Sequence, residues 1–237
     1  MTDLVTVREE DAYVLLSMDD GKANALSFAM FEALNAGLDA AEAAEIVVII
    51  TGRPGPVSAG FDLSVMAGGG EPMLDLLRRG AELSVRLLSF RAPVVLAVSG
   101  HALAMGALLC LSADYRVGMK GVYKLGLNEV AIGMTLPWFG IELARARLEE
   151  TQLNHAVGLA HIYDPEGAVS VGYLDEAVEG EQLLPRAIEL AKGFSTLNMP
   201  AHRGTKARIR EPLMARLQEA LRRDFEAGDS AIAASNS

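Results

Sequence analysis

The stretch Ala92–Ala113, APVVLAVSGHALAMGALLCLSA, contains no Lys, Arg, Asp or Glu. Its first half is a short Val-rich apolar run, which is typical of a buried strand. Its second half, after Ser99-Gly100-His101, is rich in Ala, Leu and Met, which is typical of a helix. A helix that is apolar on every side has no solvent face, so we expect this helix in the middle of a domain. Its first N–H groups have no intrahelical partner and can hold an anion.

A membrane span is the alternative interpretation of this stretch, because about 20 consecutive apolar residues can cross a bilayer. The Ser-Gly-His break and the change from strand-like to helix-like composition favour a strand followed by a helix. We therefore predict that the chain does not enter a membrane.

The composition is that of a globular protein. The chain has 237 residues, enough for one large domain or two small ones, with 51% hydrophobic and 22% charged residues. A net charge of -10 argues against nucleic acid as the main partner, because phosphate binding needs clustered Lys and Arg. The single cysteine, Cys110, predicts a buried structural thiol and a reducing compartment. The start of the chain has no signal-peptide pattern, so we expect a cytoplasmic location.

Strands and helices alternate on both sides of the opening stretch, which indicates an α/β fold. The last third of the sequence is helical in pattern. The predicted strands are 4–7, 13–18, 46–51, 115–117 and 122–125, with a loop at 52–60. The predicted helices are 28–43, a candidate lid helix at 73–89, 137–148, 151–159, a short one from 164 to 172, 183–197 and 212–225, before a polar tail at 227–237.

Three short segments could carry chemistry. Ser58–Leu63 is a turn of small residues in which Asp62 can cap a short helix. Ser99–Gly106 is the strand-to-helix turn, whose N–H groups could stabilise a developing oxyanion. Glu129 ends a strand-like run and precedes apolar residues, which would raise its pKa toward that of a useful base. The first and the third have simpler readings, namely a tight turn and a solvated surface carboxylate.

In order and spacing, these segments resemble the crotonase, or enoyl-CoA hydratase/isomerase, superfamily along nearly the whole chain. The resemblance implies a crotonase-like spiral of ββα units at 1–180 and a C-terminal helical region used in trimer assembly at 181–237. It also implies an acyl-CoA substrate. The matching pieces are Lys22–Leu26, Ser58–Leu63, Gly100–Gly106, Ser112–Arg116, Gly126–Glu129 and Gly172–Asp175.

The resemblance also assigns residues to roles. The two oxyanion-hole N–H groups would be those of Ala59 and Met105, with Glu129 as the catalytic carboxylate. Lys206 and Arg208 are possible contacts for the CoA phosphates on charge alone. The CoA part of the substrate would run past a group of residues from two segments: Lys22, Ala23, Ala25, Ser58, Gly60, Asp62 and Leu63.

One departure from the hydratases of this family decides the expected reaction. Those enzymes carry a second carboxylate a few residues into the helix, and this chain has Leu108 there. Hydration divides its proton transfers between two carboxylates, whereas the similar delta-3,delta-2-enoyl-CoA isomerases use one. The expected activity is therefore isomerisation of an enoyl-CoA in fatty acid metabolism. Hydration, another crotonase-type reaction and a non-catalytic CoA-binding homologue remain alternatives.

The expected ligands follow from the same resemblance. Coenzyme A is part of the substrate, and no separate cofactor is expected. His155 and His161 are six residues apart, which does not put them on one helix face as metal ligands, so no metal is expected. The predicted partners are the acyl-CoA thioester and further copies of the chain in a homotrimer or a dimer of trimers.

Overall fold

A computed structural model describes residues 3–226 of the chain. The polar tail predicted for 227–237 lies outside the described residues. A six-stranded sheet has the order β1-β2-β3-β5-β7-β9, antiparallel between β1 and β2 and parallel elsewhere. A three-stranded parallel sheet has the order β4-β6-β8. The strands are β1 (Val5–Glu10), β2 (Tyr13–Met18), β3 (Val47–Gly52), β4 (Gly55–Ser58), β5 (Val94–Val98), β6 (Gly100–Leu103), β7 (Tyr115–Met119), β8 (Leu125–Gly126) and β9 (Glu176–Val178).

Successive strands pass from the large sheet to the small one, as β3 to β4, β5 to β6 and β7 to β8. Helices follow the first two of these pairs, so the predicted ββα fold is confirmed. The helices are α1 (Phe28–Ala44), α2 (Leu63–Gly68), α3 (Gly70–Ser89), α4 (Met105–Ser112), α5 (Trp138–Arg147), α6 (Pro165–Val171), α7 (Leu183–Ser195) and α8 (Met199–Phe225).

The opening stretch forms the centre of the molecule. All five residues of β5 and all eight residues of α4 are buried. One face of the large sheet packs against the core that contains α1 and α4, and α7 covers the opposite face. Within residues 3–226, no helix combines the length and the apolar character needed to cross a bilayer.

A sharp change of direction joins β5 to β6. Gly100 has φ +152°, and a Cβ there would lie 1.6 Å from the carbonyl oxygen of Gly55. Only glycine permits this approach. The chain can therefore leave the large sheet, add a strand to the small sheet, and then enter α4.

Several sequence expectations were wrong. The small sheet was missed because strands of two to four residues carry no periodic pattern: β4 lies in the predicted loop 52–60, β6 precedes α4, and β8 replaces the predicted strand 122–125. β9 was not predicted either. The predicted helix 151–159 consists of a 3₁₀ turn at Glu150–Gln152 and a π-helical turn at Asn154–Gly158. The last helix begins at Met199 and not at the predicted position 212. Pro212 lies inside this helix and does not start it.

A buried ion-pair cluster fastens α8 to the core. The Asp114 carboxylate accepts the Val94 N–H at 2.8 Å and contacts Lys206 Nζ at 2.6 Å and Arg210 Nη2 at 2.8 Å. Lys206 Nζ also donates to the Ala92 carbonyl at 3.3 Å. These contacts lie where β5 and β7 begin, at the end of the sheet opposite to the turn that enters α4.

Asp114→Asn should lower the free energy of unfolding by about 3–5 kcal/mol, because it leaves two buried cations without a charged partner. Asp39→Asn is the matched control, since Asp39 is 73% exposed in its pair with Arg86, and its effect should stay below about 1 kcal/mol. Urea unfolding of both variants measures the difference. Equal losses of stability would mean that Asp114 does not anchor α8.

Candidate active site

A largely apolar cavity of about 380 Å³ lies beside the N-terminus of α4. Residues of α2, α3, α4 and α5 and of the segments that precede them form its wall. They are Ala59, Phe61, Leu63, Met66, Leu77, Ala104, Leu108, Asn128, Glu129, Ile132, Met134, Pro137 and Phe139. Glu129 is the one ionisable side chain among these residues of the described chain.

Two segments, 22–26 and 58–62, lie side by side next to the cavity. The Ala59 N–H donates to the Ala23 carbonyl at 3.0 Å, and the Leu26 N–H donates to the Gly60 carbonyl at 2.9 Å. The predicted contacts for CoA are therefore neighbours in space, although more than thirty positions separate the segments in the sequence.

Two residues that the sequence analysis did not select hold the first segment in place. The Asp20 carboxylate accepts the backbone N–H groups of Lys22, Asn24 and Ala25 at 2.7–2.9 Å. Asn24 has φ +51° and is fully buried, and its side-chain amide donates to the carbonyls of Met18 and Pro56. A local Asp-to-backbone pattern is the sequence signal that could have identified Asp20.

The predicted substrate contacts divide into accessible and inaccessible groups. Lys22, Ala23 and Leu63 are exposed, whereas Ser58 is fully buried. The Ser58 hydroxyl donates to the Asn24 carbonyl at 2.8 Å and accepts the Gly60 N–H at 3.1 Å, so it braces the two segments.

Asp62 and Ala25 also contact the protein itself. The Asp62 carboxylate accepts the Ser64 N–H at 2.9 Å and caps α2, as the sequence predicts. The Ala25 N–H is bound to Asp20. The Ala25 N–H is therefore not free to donate to a ligand, and the Asp62 carboxylate already accepts from both the N–H and the hydroxyl of Ser64.

The structure argues against the Ala59 N–H as an oxyanion donor, because that N–H is already bound to the Ala23 carbonyl. Two positions further on, the Phe61 N–H has no acceptor among residues 3–226, and Phe61 lines the cavity. The direction of alternate N–H groups depends on pairing with 22–26, and no local pattern of residues predicts that pairing. Phe61 is therefore the residue of this turn with an available donor.

The turn into α4 supplies a second donor. Met105 is the first residue of α4, and no residue in the described range 3–226 accepts a hydrogen bond from its N–H. Ala104 before it has φ +50°, a conformation that costs a non-glycine residue about 1–3 kcal/mol. With this conformation at Ala104, the N-terminus of α4 lies next to the segment 58–62.

Gly60 allows the two turns to approach each other. Its φ is +107°, and a Cβ at this position would lie 2.9 Å from Ala104 Cβ and 3.6 Å from Met105 N. A side chain would fill the space beside the second donor. The Phe61 and Met105 N–H groups thus lie on neighbouring backbones at one edge of the cavity, an arrangement that can stabilise an oxyanion.

Glu129 is a buried carboxylate in the lining of the same cavity. It is 7% exposed, and within residues 3–226 its Oε2 atom has no hydrogen-bond partner. Burial raises its pKa from 4.5 to about 7. The group can therefore exchange a proton near neutral pH, which is the property required of a general base.

Leu108 lines the same cavity from α4 and is 1% exposed. An apolar side chain can neither activate a water molecule nor deliver a proton. The arrangement is therefore suited to chemistry carried by one carboxylate and two backbone donors.

The remaining charged and metal-binding candidates lie elsewhere. Lys206, a possible phosphate contact by charge, is ion-paired with Asp114 at the opposite end of the core, so its expected role was wrong. His101 accepts the Lys124 N–H at 3.0 Å, consistent with a residue that orients the turn. Within residues 3–226, no group of three or more His, Cys, Asp or Glu side chains is arranged to hold a metal ion.

Comparison with known proteins identifies relatives with both isomerase and hydratase names. The profile of the family described as "Enoyl-CoA hydratase/isomerase" matches residues 8–235. Human mitochondrial enoyl-CoA delta isomerase 1 is 29% identical over 72% of this chain, and the match spans 57% of the human protein. A probable enoyl-CoA hydratase of Bacillus subtilis is 28% identical over 81% of this chain and 76% of its own.

A solved structure shows the same fold over nearly the whole chain. The crystal structure of an enoyl-CoA hydratase/isomerase family protein from Pseudomonas syringae has a TM-score of 0.93 and 43% identity. The alignment covers 95% of this chain and 98% of that protein.

The raised pKa of Glu129 predicts a pH-dependent gain of stability in Glu129→Gln. In the native chain the buried carboxyl favours folding while protonated, so this contribution is fully present below pH 4.5 and is lost as pH rises through about 7. Relative to the native chain, the variant should gain about 2–3 kcal/mol between pH 5 and pH 8.5. Urea unfolding at both pH values measures this gain.

Glu166→Gln, at an exposed position in the first turn of α6, is the control and should show no such pH-dependent gain. If the stability difference between Glu129→Gln and the native chain is the same at both pH values, Glu129 does not titrate as a buried group.

Proposed function

Because the chain belongs to the enoyl-CoA hydratase/isomerase family, whose members act on acyl-CoA thioesters, we propose that it is a delta-3,delta-2-enoyl-CoA isomerase. The observation that carries this proposal is the ionisable content of the cavity: one buried carboxylate, Glu129, with Leu108 facing the same space. Moving a double bond needs one group that removes a proton and then returns it.

In the proposed reaction, Glu129 removes a proton from C2 of a 3-enoyl-CoA. The electron pair of that C–H bond moves into the C1–C2 region and gives a dienolate with negative charge on the thioester oxygen. The protonated Glu129 then delivers the same proton to C4, which leaves the double bond between C2 and C3. C2 and C4 of a planar dienolate can both be approached from the same face, so one side chain can reach both.

The thioester oxygen would be held by the N–H groups of Phe61 and Met105. Each such donor is worth about 2.7–4 kcal/mol of transition-state stabilisation in a site that excludes water. This assignment replaces the Ala59 N–H expected from the sequence, because that group is bound within the protein. The same arrangement supports substrate binding with the CoA portion along Lys22–Ala25 and the exposed side of the 58–62 segment.

Hydration is the second candidate, because the chain is similar to a probable enoyl-CoA hydratase of Bacillus subtilis. That reaction adds a water molecule across the double bond and needs one proton removed from water and one delivered to carbon. Two positioned carboxylates share this work in the hydratases that the sequence resembles. In this chain Leu108 stands in the place of one of these two carboxylates. Isomerisation is therefore the better fit to the cavity.

Glu129→Gln should lower kcat for 3-enoyl-CoA isomerisation by about 10²–10⁴-fold, because the amide cannot accept the C2 proton. Binding of a saturated acyl-CoA should remain within about threefold by calorimetry, since Gln keeps the size of the side chain. Glu166→Gln is the matched control and should keep native turnover. Native turnover in Glu129→Gln would exclude Glu129 as the base.

Parallel assays of the native protein should separate the two candidate reactions. One assay follows conversion of a 3-enoyl-CoA into the 2-enoyl isomer, and the other follows hydration of crotonyl-CoA. We expect isomerisation to exceed hydration in kcat/KM by at least about a hundredfold, the contribution of one missing acid–base group. Hydration of equal or greater efficiency would reverse the assignment.

A further inference from the structure

We infer that the C-terminal turn of α8 forms a floor behind Leu77, at the deep end of the acyl pocket, and limits the substrate to medium-chain 3-enoyl-CoA, with Phe225 as the residue that sets the limit. This inference rests on the proposed function, because it concerns the acyl chain of the same substrate. It adds a determinant that does not touch the reacting atoms.

The exposure of the cavity lining shows which end is closed. Leu63 and Ile132, at 75% and 54% exposed, mark the open side. Leu77, Leu108 and Phe139 are each 1% exposed and form the deep side. An acyl chain that enters past Leu63 with its thioester near Met105 would therefore direct its tail toward Leu77 and Phe139.

Phe225 closes the space behind Leu77. Met73 and Leu77 of α3 form a buried pair, and Phe225 packs against this pair together with Phe61 and Met66, which line the cavity. The Arg78 guanidinium lies 5.2 Å from the centre of the Phe225 ring and covers its outer side. The ring is therefore fixed between α3 and solvent, at the end of the path that the tail would follow.

Asp224 fixes the same turn to the opposite wall. Its carboxylate accepts the N–H groups of Trp138 and Phe139 at 2.9 and 3.0 Å, which are the first residues of α5. Arg223 stacks on the Trp138 ring at 3.7 Å from its centre. Residues 223–225 thus contact both α3 and α5, the two helices that supply Leu77 and Phe139 to the deep end of the pocket.

The size of the cavity indicates the chain length. At roughly 30 Å³ for a group the size of a water molecule, a 380 Å³ cavity corresponds to about a dozen acyl carbons. The apolar wall must also accommodate the bulk of the reacting thioester end. Chains of about six to ten carbons therefore fit without displacing Leu77 or Phe225, whereas longer chains meet the floor.

The test is a series of kcat/KM measurements on 3-enoyl-CoA substrates from six to sixteen carbons. The native protein should show its highest value between six and ten carbons and a decline beyond about twelve. Phe225→Ala should raise the ratio of kcat/KM for fourteen carbons to that for six carbons by about tenfold, which corresponds to one or two more buried methylenes at about fourfold each. Phe225→Leu should give a smaller increase of the same sign.

Phe194→Ala is the matched control, because Phe194 is also partly buried but packs with Tyr115 on the opposite face of the large sheet. It should leave the ratio unchanged, which separates a pocket effect from a general loss of stability. Should Phe225→Ala fail to fold, Phe225→Leu carries the comparison. If the native protein is an active isomerase and a folded Phe225 variant shows an unchanged ratio, the inference about the floor is overturned. The proposed function would then still stand.

Calorimetric binding of saturated acyl-CoA of six to sixteen carbons is the second readout and does not depend on catalysis. If the native protein isomerises no chain length, the proposed function fails. A change of chain-length preference in binding caused by Phe225→Ala would still support the floor, and no such change would overturn it.

Discussion

The close approach of the 58–62 segment to the start of α4 is the constraint on which the site depends. Gly60 has no side chain at the point where a Cβ would meet Ala104, and Ala104 adopts φ +50° at the same contact. Both features are costly in chain entropy or in backbone strain. They bring two N–H groups from distant parts of the sequence to one edge of an apolar cavity, so the strain has a direct chemical use. The buried, uncharged α4 makes this possible because its position cannot vary without opening the core.

The environment of Glu129 is a compromise between stability and basicity. A buried carboxylate with an unpartnered oxygen destabilises the folded chain at pH values where it is ionised. Further hydrogen bonds to the ionised form would remove that cost, but they would also lower its pKa and weaken it as a base. Apolar neighbours, including Leu108, keep the pKa of Glu129 at about 7. A single group that must accept and then donate the same proton works best near that value.

The sequence predicted the parts of the fold that have a strong pattern. The uncharged run 92–113 became buried strand and helix, and Asp62 caps the helix that follows it. Glu129 and the turn that contains Met105 were candidates from their local pattern, and the order of motifs gave them their specific roles. The small sheet and the Phe61 donor could not be predicted, because they arise from pairing between segments far apart in the chain. Which N–H of 59–61 is free depends on the carbonyl of Ala23, and no local pattern records that contact.

The last helix shows how polar contacts can build an apolar pocket. α8 is rich in charged residues, and Pro212 removes one of its internal hydrogen bonds. Such a helix is held mainly by tertiary contacts. Lys206 binds Asp114 near its start, and Asp224 binds the N-terminus of α5 at its end. At 1.5 Å per residue these anchors are about 27 Å apart, so α8 spans the core from the start of the strands to the cavity. The position of Phe225 is thereby fixed by ion pairs and N–H contacts as much as by apolar packing.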